Sequence, residues 1–406
     1  MTAVGSALVN RYNHAEVATY ATTAPTNAST WTDSAVLGAP MPVLEMGEDA
    51  ALQANTRGAS SNAYPTVRKC SIDLQTRLHT GNKGLDGSGG DSDPTNPFHP
   101  LLLKSLFNGA GSAAFTGTTA AAASGAGRTA PLKVTSATNL AVGMAIMWSG
   151  EVAFIKAISG TDITLNRDFS SSPANLDVIY GAFNYGLALG DQSTYLYQLV
   201  ERDGHRWLLG PGAVMNAKLS GLASGQGLRM DWSYQGGYWT GGFAPSTFTP
   251  NVYTDSPIVG KSGQYYVDNT SRLLSEATLD FGIQKEWRES PNGTEGLDGV
   301  EVVGQSAPTL SGKHFYASGD WSKYQARTSF ELMGAFSVGS TAAEKARGTV
   351  AFYMPNAQMV VKEGTAQNQV ASDVTIVGRN PQDPVSGVLS YTSLVAPLYF
   401  AVFGGR

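Results

Sequence analysis

The chain has 406 residues, 42% of them hydrophobic, which is ample for a sizeable core. Charged residues are only 15%, against roughly 25% in ordinary soluble domains, while glycine, at 47 residues, exceeds its usual share of ~7%. A net charge of −5 with no dense block of Lys or Arg disfavours tight nucleic-acid binding, and a single cysteine, Cys70, excludes an intrachain disulfide and a thiolate metal cluster.

Residues 1–65 are rich in Ala, Thr, Ser, Asn and Pro and show little periodicity. They read as an extended arm with one short strand near "MPVLEM", too poor in apolar residues to fold alone, and either ordered by docking on a neighbour or disordered. The opening residues lack a basic start followed by an apolar stretch, and no run reaches the ~18 apolar residues of a membrane span. Synthesis in a cytoplasm, with no membrane partner, is the expectation. "VRKCSIDLQTRLHTG" alternates, with Cys70, Ile72, Leu74 and Leu78 on one face and Asp73, Gln75 and Arg77 on the other. The Gly- and Asp-rich loop after it leads to "PFHPLLLKSLFNGAG" (Pro97–Gly111), the strongest helix signal in the chain.

A linker-like stretch then opens a run of short strands over Lys133–Val134, Ala145–Trp148, Ala153–Ile158 and Asp162–Leu165. These predict a small β-barrel module, residues 115–182, inserted into a larger domain. The larger domain resumes with a strand pair turning at Asp203-Gly204 and a long amphipathic hairpin around "GLASGQG". On that hairpin Leu228, Met230, Trp232 and Tyr234 share an apolar face, and Lys218, Arg229, Asp231, Ser233 and Gln235 a polar one. "SEATLDFGIQKEW" extends the pattern as one strand, with Asp280 and Gln284 on its polar side and the following charges as a strand end. Later strands close the chain. The organisation expected is a mainly β protein: an arm over 1–65, a first lobe over 66–114 and 183–245, the inserted module, and a second lobe over 246–406.

Catalytic and metal motifs are not evident. His14, His79, His99, His205 and His314 are scattered, without metal-ligand spacing, and neither a nucleophile elbow nor a Walker A loop occurs. Asp86, Asp91, Asp93 and Asn96 offer oxygens for Ca²⁺, but a solvated loop explains them more simply. "YQGGYWTGGF" could stack sugars, although core and subunit packing accounts for it better. No catalytic, cofactor or metal residue is assigned, and no enzyme is expected.

Several of these elements, in their order, resemble the major tail tube proteins of long-tailed bacteriophages. "VRKCSIDLQTRL" is similar to the family's first tube strand, followed by a loop and the "PLLLKSLF" helix. "STYLYQLVERDG" and "GAVMNAKLSGLASGQGLRMDWSYQGG" resemble its strand pair and long hairpin, and "SEATLDFGIQKEW", "PTLSGKHFYASGDW" and "GTVAFYMPNAQMV" its C-terminal portion. The resemblance implies a tail-tube β-sandwich or barrel with a flanking α-helix, two tube-like lobes, and the module on the tube exterior. It implies a structural virion protein whose rings, of six chains or of three with pseudo-sixfold symmetry, stack into the conduit for genomic DNA. Tape-measure, tail-tip and tail-terminator proteins would be its partners, with transient, non-specific passage of double-stranded DNA and no cofactor. Asp73, Arg77, Lys218, Arg229, Asp231, Ser233, Gln235 and Asp280 become candidates for the lumen or the contact between rings. The rival reading is a virion decoration protein or a glycan-binding surface β-protein.

Overall fold

Period-two alternation dominates the sequence, and the computed structural model is mainly β, with two short helices among the described residues and a principal sheet curled into a half-barrel. The structure describes residues 11–20, 24, 31–33, 36–49, 64–78, 100–108, 117–202, 205–222, 227–242, 258–259, 263–272, 274–294, 296–305, 307–315, 326–339, 341–361, 371–379, 394 and 396–404. Eight antiparallel strands follow one another across the principal sheet: Val43–Asp49, Tyr64–Arg77, Arg229–Gly236, His205–Ser220, Leu274–Asp280, Thr309–Phe315, Ala371–Gly378 and Thr349–Val361.

The first four strands and the last four repeat one pattern. Val43–Asp49 and Leu274–Asp280 each pair with the next strand in the row, which pairs with the third, which pairs with the fourth. The fourth strand in each set also forms a hairpin with the strand preceding it in sequence, Tyr195–Arg202 or Phe330–Ser337. A short strand then continues the third one along the start of the fourth: Trp239–Gly242 in the first set and Tyr399–Phe403 in the second. The register matches as well. Gly236 pairs with Gly212, and Gly378 with Ala357, at the corresponding end of each pairing. Both glycines are demanded by close approach, because a Cβ would lie 2.7 Å from Cys70 Sγ at Gly236 and 2.8 Å from Pro308 Cγ at Gly378. The two sets are joined in one sheet where Lys218, Leu219 and Ser220 pair with Asp280, Leu279 and Thr278.

One core runs under both sets. Ile72, Leu74, Met230, Trp232, Tyr234, Leu219, Leu279, Leu310, Met359 and Ile376 all point into it. Pro100–Leu106 forms a helix that covers this core with Leu102, Leu103, Leu106 and Phe107, the spacing of one helical face. Pro100 opens the helix and Asn108 stops it with φ 67°, as the sequence leads one to expect, while residues 97–99 and 109–111 lie outside the described residues. The Asn108 side chain donates to the carbonyls of Ala188 and Asp191 and accepts from the Ser193 amide, so the turn is fixed to the chain leaving the module.

The module spans Thr118–Gly181 and is a closed six-stranded barrel. Its sheet runs from Thr118–Thr119 through Val178–Gly181, Ala145–Trp148, Glu151–Ser159 and Asp162–Leu165 to Leu132–Lys133, and the Ala120–Val134 bridge joins the ends. Its core continues into one face of the principal sheet. Met333, Ala335, Ala351, Tyr353, Tyr399, Ala401 and Phe403 face the module, while their neighbours Phe336, Val350, Phe352, Phe400 and Val402 face the main core. Arg167, almost fully buried, ties the two together through Glu151 (2.7 Å), Gln264 (3.1 Å) and the face of Tyr266. Glu331 accepts from Arg128 and Lys156 across the same boundary.

Two expectations are corrected. The arm does not depend wholly on a neighbour: Arg11–Val17 pairs with Tyr195–Arg202 of its own chain, burying Tyr12, Ala15 and Val17. It lacks clean alternation because both of its faces are covered; Asn13 and His14 are buried too. "SEATLDFGIQKEW" is not one strand. The chain breaks at Phe281-Gly282, where Gly282 has φ 63°, and Ile283–Thr294 starts a separate three-stranded sheet with Leu297–Gln305 and Gly190–Asp191. The charges at Glu286, Arg288 and Glu289 therefore sit within a strand.

Candidate functional site

Every candidate residue from the sequence lies on the face of the principal sheet opposite the core. Alternation dictates this: Ile72, Leu74, Trp232, Tyr234 and Leu219 are fully buried, so their neighbours in sequence point the other way. Trp232 and Tyr234 hold the face in register from beneath. The Trp232 Nε1 donates to Thr76 Oγ1 at 2.9 Å, and the Tyr234 hydroxyl to the Leu196 carbonyl at 2.8 Å.

Strand pairing brings the polar side chains into lateral rows. One row runs Gln75, Asp231, Lys218, Asp280, Thr309, Val377 and Gln358 across seven strands. The next runs Arg77, Arg229, Ser220, Thr278, Ser311, Thr375 and Val360. A third places Asp73 beside Ser233 and Asn216. Several contacts follow. Gln75 Nε2 donates to Asp231 Oδ1 at 2.5 Å. Lys218 Nζ meets Asp280 Oδ2 at 3.1 Å, and Asn216 Nδ2 donates to Asp280 Oδ1 at 2.9 Å. Gln235 belongs to the face but turns to accept from Trp287 Nε1 at 3.1 Å, so it is tied to the three-stranded sheet.

Asp280 is the best-connected group. Partial burial raises its pKa, but hydrogen bonds from Asn216, the Gly282 amide and Lys218, with the Lys218 charge, outweigh that and hold it below the ordinary carboxylate value. It therefore stays ionised and anchors the joint between the two strand sets. Asp73 and Arg77 are exposed at the first-set end of the face. Asp73, Asp231 and Lys218 line an open groove bounded by Leu37, Ala39 and Pro40.

The face is mixed in sign over the first set and the joint, with Asp73, Asp231 and Asp280 against Arg77, Lys218 and Arg229. Over the second set it is richer in hydroxyls, through Thr309, Ser311 and Thr375. Sequence reading missed Asn216 and Gln75 as partners of the aspartates, although both fall on the polar side of their strands. It also missed the second-set hydroxyls, because Gly312 interrupts the alternation of "PTLSGKHF".

Among the described residues, no group of three or more His, Cys, Asp or Glu could hold a metal ion. Asp86, Asp91 and Asp93 lie outside the described residues. His14 and Lys285 are buried away from the polar face. His14 is pushed down to about 4 by burial, and Lys285, also lowered by burial, donates to Gln192 Oε1 at 3.0 Å. Trp239, in the stretch that suggested sugar stacking, is half-buried and donates to the Glu45 carbonyl, and Tyr238 lies under Arg68. No helix among the described residues is long and apolar enough to cross a membrane. No protein-family model matches the chain, and no curated protein matches it.

Proposed function

We propose that this chain is a structural subunit of a phage tail tube, in which copies form rings that stack into a conduit for DNA. The observation that carries the reading is the doubled strand set: one curled sheet with an apolar face toward the core and rows of polar side chains across both sets on the face opposite. Such a sheet is suited to lining a channel, because closing it into a barrel removes its open edges. The wall chemistry agrees with passage. A strongly basic surface would displace counterions from DNA and hold it, whereas the mixed face around Asp231, Lys218 and Asp280 offers no such grip. Two strand sets per chain favour three chains over six, giving a pseudo-sixfold ring. The module packs at the Ala351 and Tyr353 end of Thr349–Val361, beyond the bulge at Phe330–Leu332 that separates it from the Gln358 and Val360 rows, and on this reading it decorates the tube exterior. On this reading the protein acts in the virion tail and meets tape-measure, tail-tip and tail-terminator proteins.

Negative-stain electron microscopy of the purified chain at rising concentration, alone and with tail-tip complexes, tests the reading. Rings or hollow filaments with an axial pore are expected. A monomer that stays monomeric with tail tips, and binds a polysaccharide array, would overturn it in favour of a glycan-binding surface protein.

A further inference from the structure

We propose that Lys285 is a pH-sensitive latch: its amine ties the three-stranded sheet to the Pro100–Leu106 helix, and protonation of that amine releases the sheet. The latch lies away from the polar face but is coupled to it, because Trp287, two residues along the same strand, holds Gln235.

Gly282 turns the chain out of the principal sheet, and Lys285 is the first charged residue after that turn. Its neighbours Gln284 and Glu286 are exposed, so alternation points Lys285 inward, where it is buried. Lys285 Nζ donates to the Ser105 carbonyl, in the last turn of the helix, and to Gln192 Oε1 at 3.0 Å. Gln192 is buried as well. Its Nε2 donates to the carbonyls of Ser105 at 2.9 Å and Thr194 at 2.8 Å, and its backbone amide to the Val300 carbonyl. One amine thus joins the helix, the turn at Asp191–Thr194 and the three-stranded sheet. Two acceptors face it, and among the described residues no carboxylate does. A neutral amine has two N–H groups and fits that pair. An ammonium brings a third donor and an unpaired charge into a site closed to water.

The charged groups on the surrounding elements are engaged elsewhere. On the helix, Lys104 meets Glu16 of the Arg11–Val17 strand, whose other titratable group is the buried His14. On the turn, Asp191 meets Arg288, which also meets Asp298. Glu301 lies opposite Glu286 on the outer face of the three-stranded sheet. On His205–Ser220 the charges sit toward the two ends, His205 and Arg206 at one and Lys218, beside Asp280, at the other. On Tyr195–Arg202 the nearest titratable group is Tyr195, whose hydroxyl accepts from the Val300 amide. Burial alone therefore sets the Lys285 equilibrium, and it pushes the amine well below its ordinary 10.5. The folded chain refuses a proton that the unfolded chain takes up. The latch is at full strength above pH 10.5 and weakens as pH falls toward the folded value.

The test is peptide-resolved hydrogen exchange of the full chain between pH 9 and pH 5, corrected for intrinsic rates. The module strands Ala145–Trp148 and Asp162–Leu165 serve as the internal reference. In the unsubstituted chain, Leu297–Gln305 should lose at least about tenfold in protection relative to that reference as pH falls. Lys285→Met, which keeps the length of the stem and removes the amine, should abolish the pH dependence. Gln192→Glu places a carboxylate beside the amine, and should hold the sheet closed to lower pH than in the unsubstituted chain. Constant protection of Leu297–Gln305 in the unsubstituted chain would overturn the latch. So would a loss of equal size at the same pH in Lys285→Met or in Gln192→Glu.

Discussion

Two buried side chains set how firmly the polar face is held. Trp232 fills the core beneath Asp231 and Ser233 and satisfies the Thr76 hydroxyl. Trp232→Ala removes a large buried ring and leaves that hydroxyl unpaired, and should cost about 3–5 kcal/mol in urea unfolding. A cost below ~1 kcal/mol would mean the face is braced elsewhere. His14 gives the fold a pH dependence. Its folded pKa of about 4 lies below the ordinary 6.5, so the folded state refuses a proton that the unfolded state accepts. Its contribution is complete above pH 6.5 and is lost as pH falls toward 4, by about 3 kcal/mol at the low end. The unfolding free energy of His14→Asn should therefore fall less between pH 7 and pH 4 than that of the unsubstituted chain. Equal falls would refute the assignment. Cys70, expected from its alternating strand to be a small core residue, is buried with its thiol pushed up to about 12.

At the scale of elements, the module and the second strand set share a core, and Glu331 bridges them through Arg128 and Lys156. Glu331→Ala leaves both cations without their shared carboxylate and should lower stability by roughly 1–3 kcal/mol. Limited proteolysis should then cut sooner near Gly117 and Gly181, where the module leaves the sheet; an unchanged digestion pattern would show that apolar packing alone seats it. The strands of this module were legible from sequence, since short apolar runs separated by Ser-Gly turns leave few other solutions. Ala145–Trp148 and Asp162–Leu165 occur with the expected bounds. The long hairpin was equally legible, because Met230, Trp232 and Tyr234 alternate without a break. Arg11–Val17 was not, since a strand covered on both faces carries no period-two signal. The break at Gly282 was hidden for a related reason: the alternation of Ala277, Leu279, Phe281 and Ile283 continues through it, and only the positive φ of one glycine redirects the chain.

For the whole molecule, the polar residues of the candidate site could be picked out singly by alternation, but their rows could not. Register between strands far apart in sequence, such as Lys218 opposite both Asp231 and Asp280, is set by pairing that no local pattern encodes. The same is true of the repeated strand sets, whose sequences differ while their pairing order matches. That repeat gives the molecule rows of polar side chains that cross both strand sets, the basis for reading it as a wall segment of a channel. A three-dimensional reconstruction of the assembled particle by electron cryomicroscopy tests this most directly. Three chains around an axial pore are predicted, with Asp73, Lys218, Asp231 and Asp280 facing the lumen and the module outside. A particle with that polar face turned outward, or with no axial pore, would contradict it.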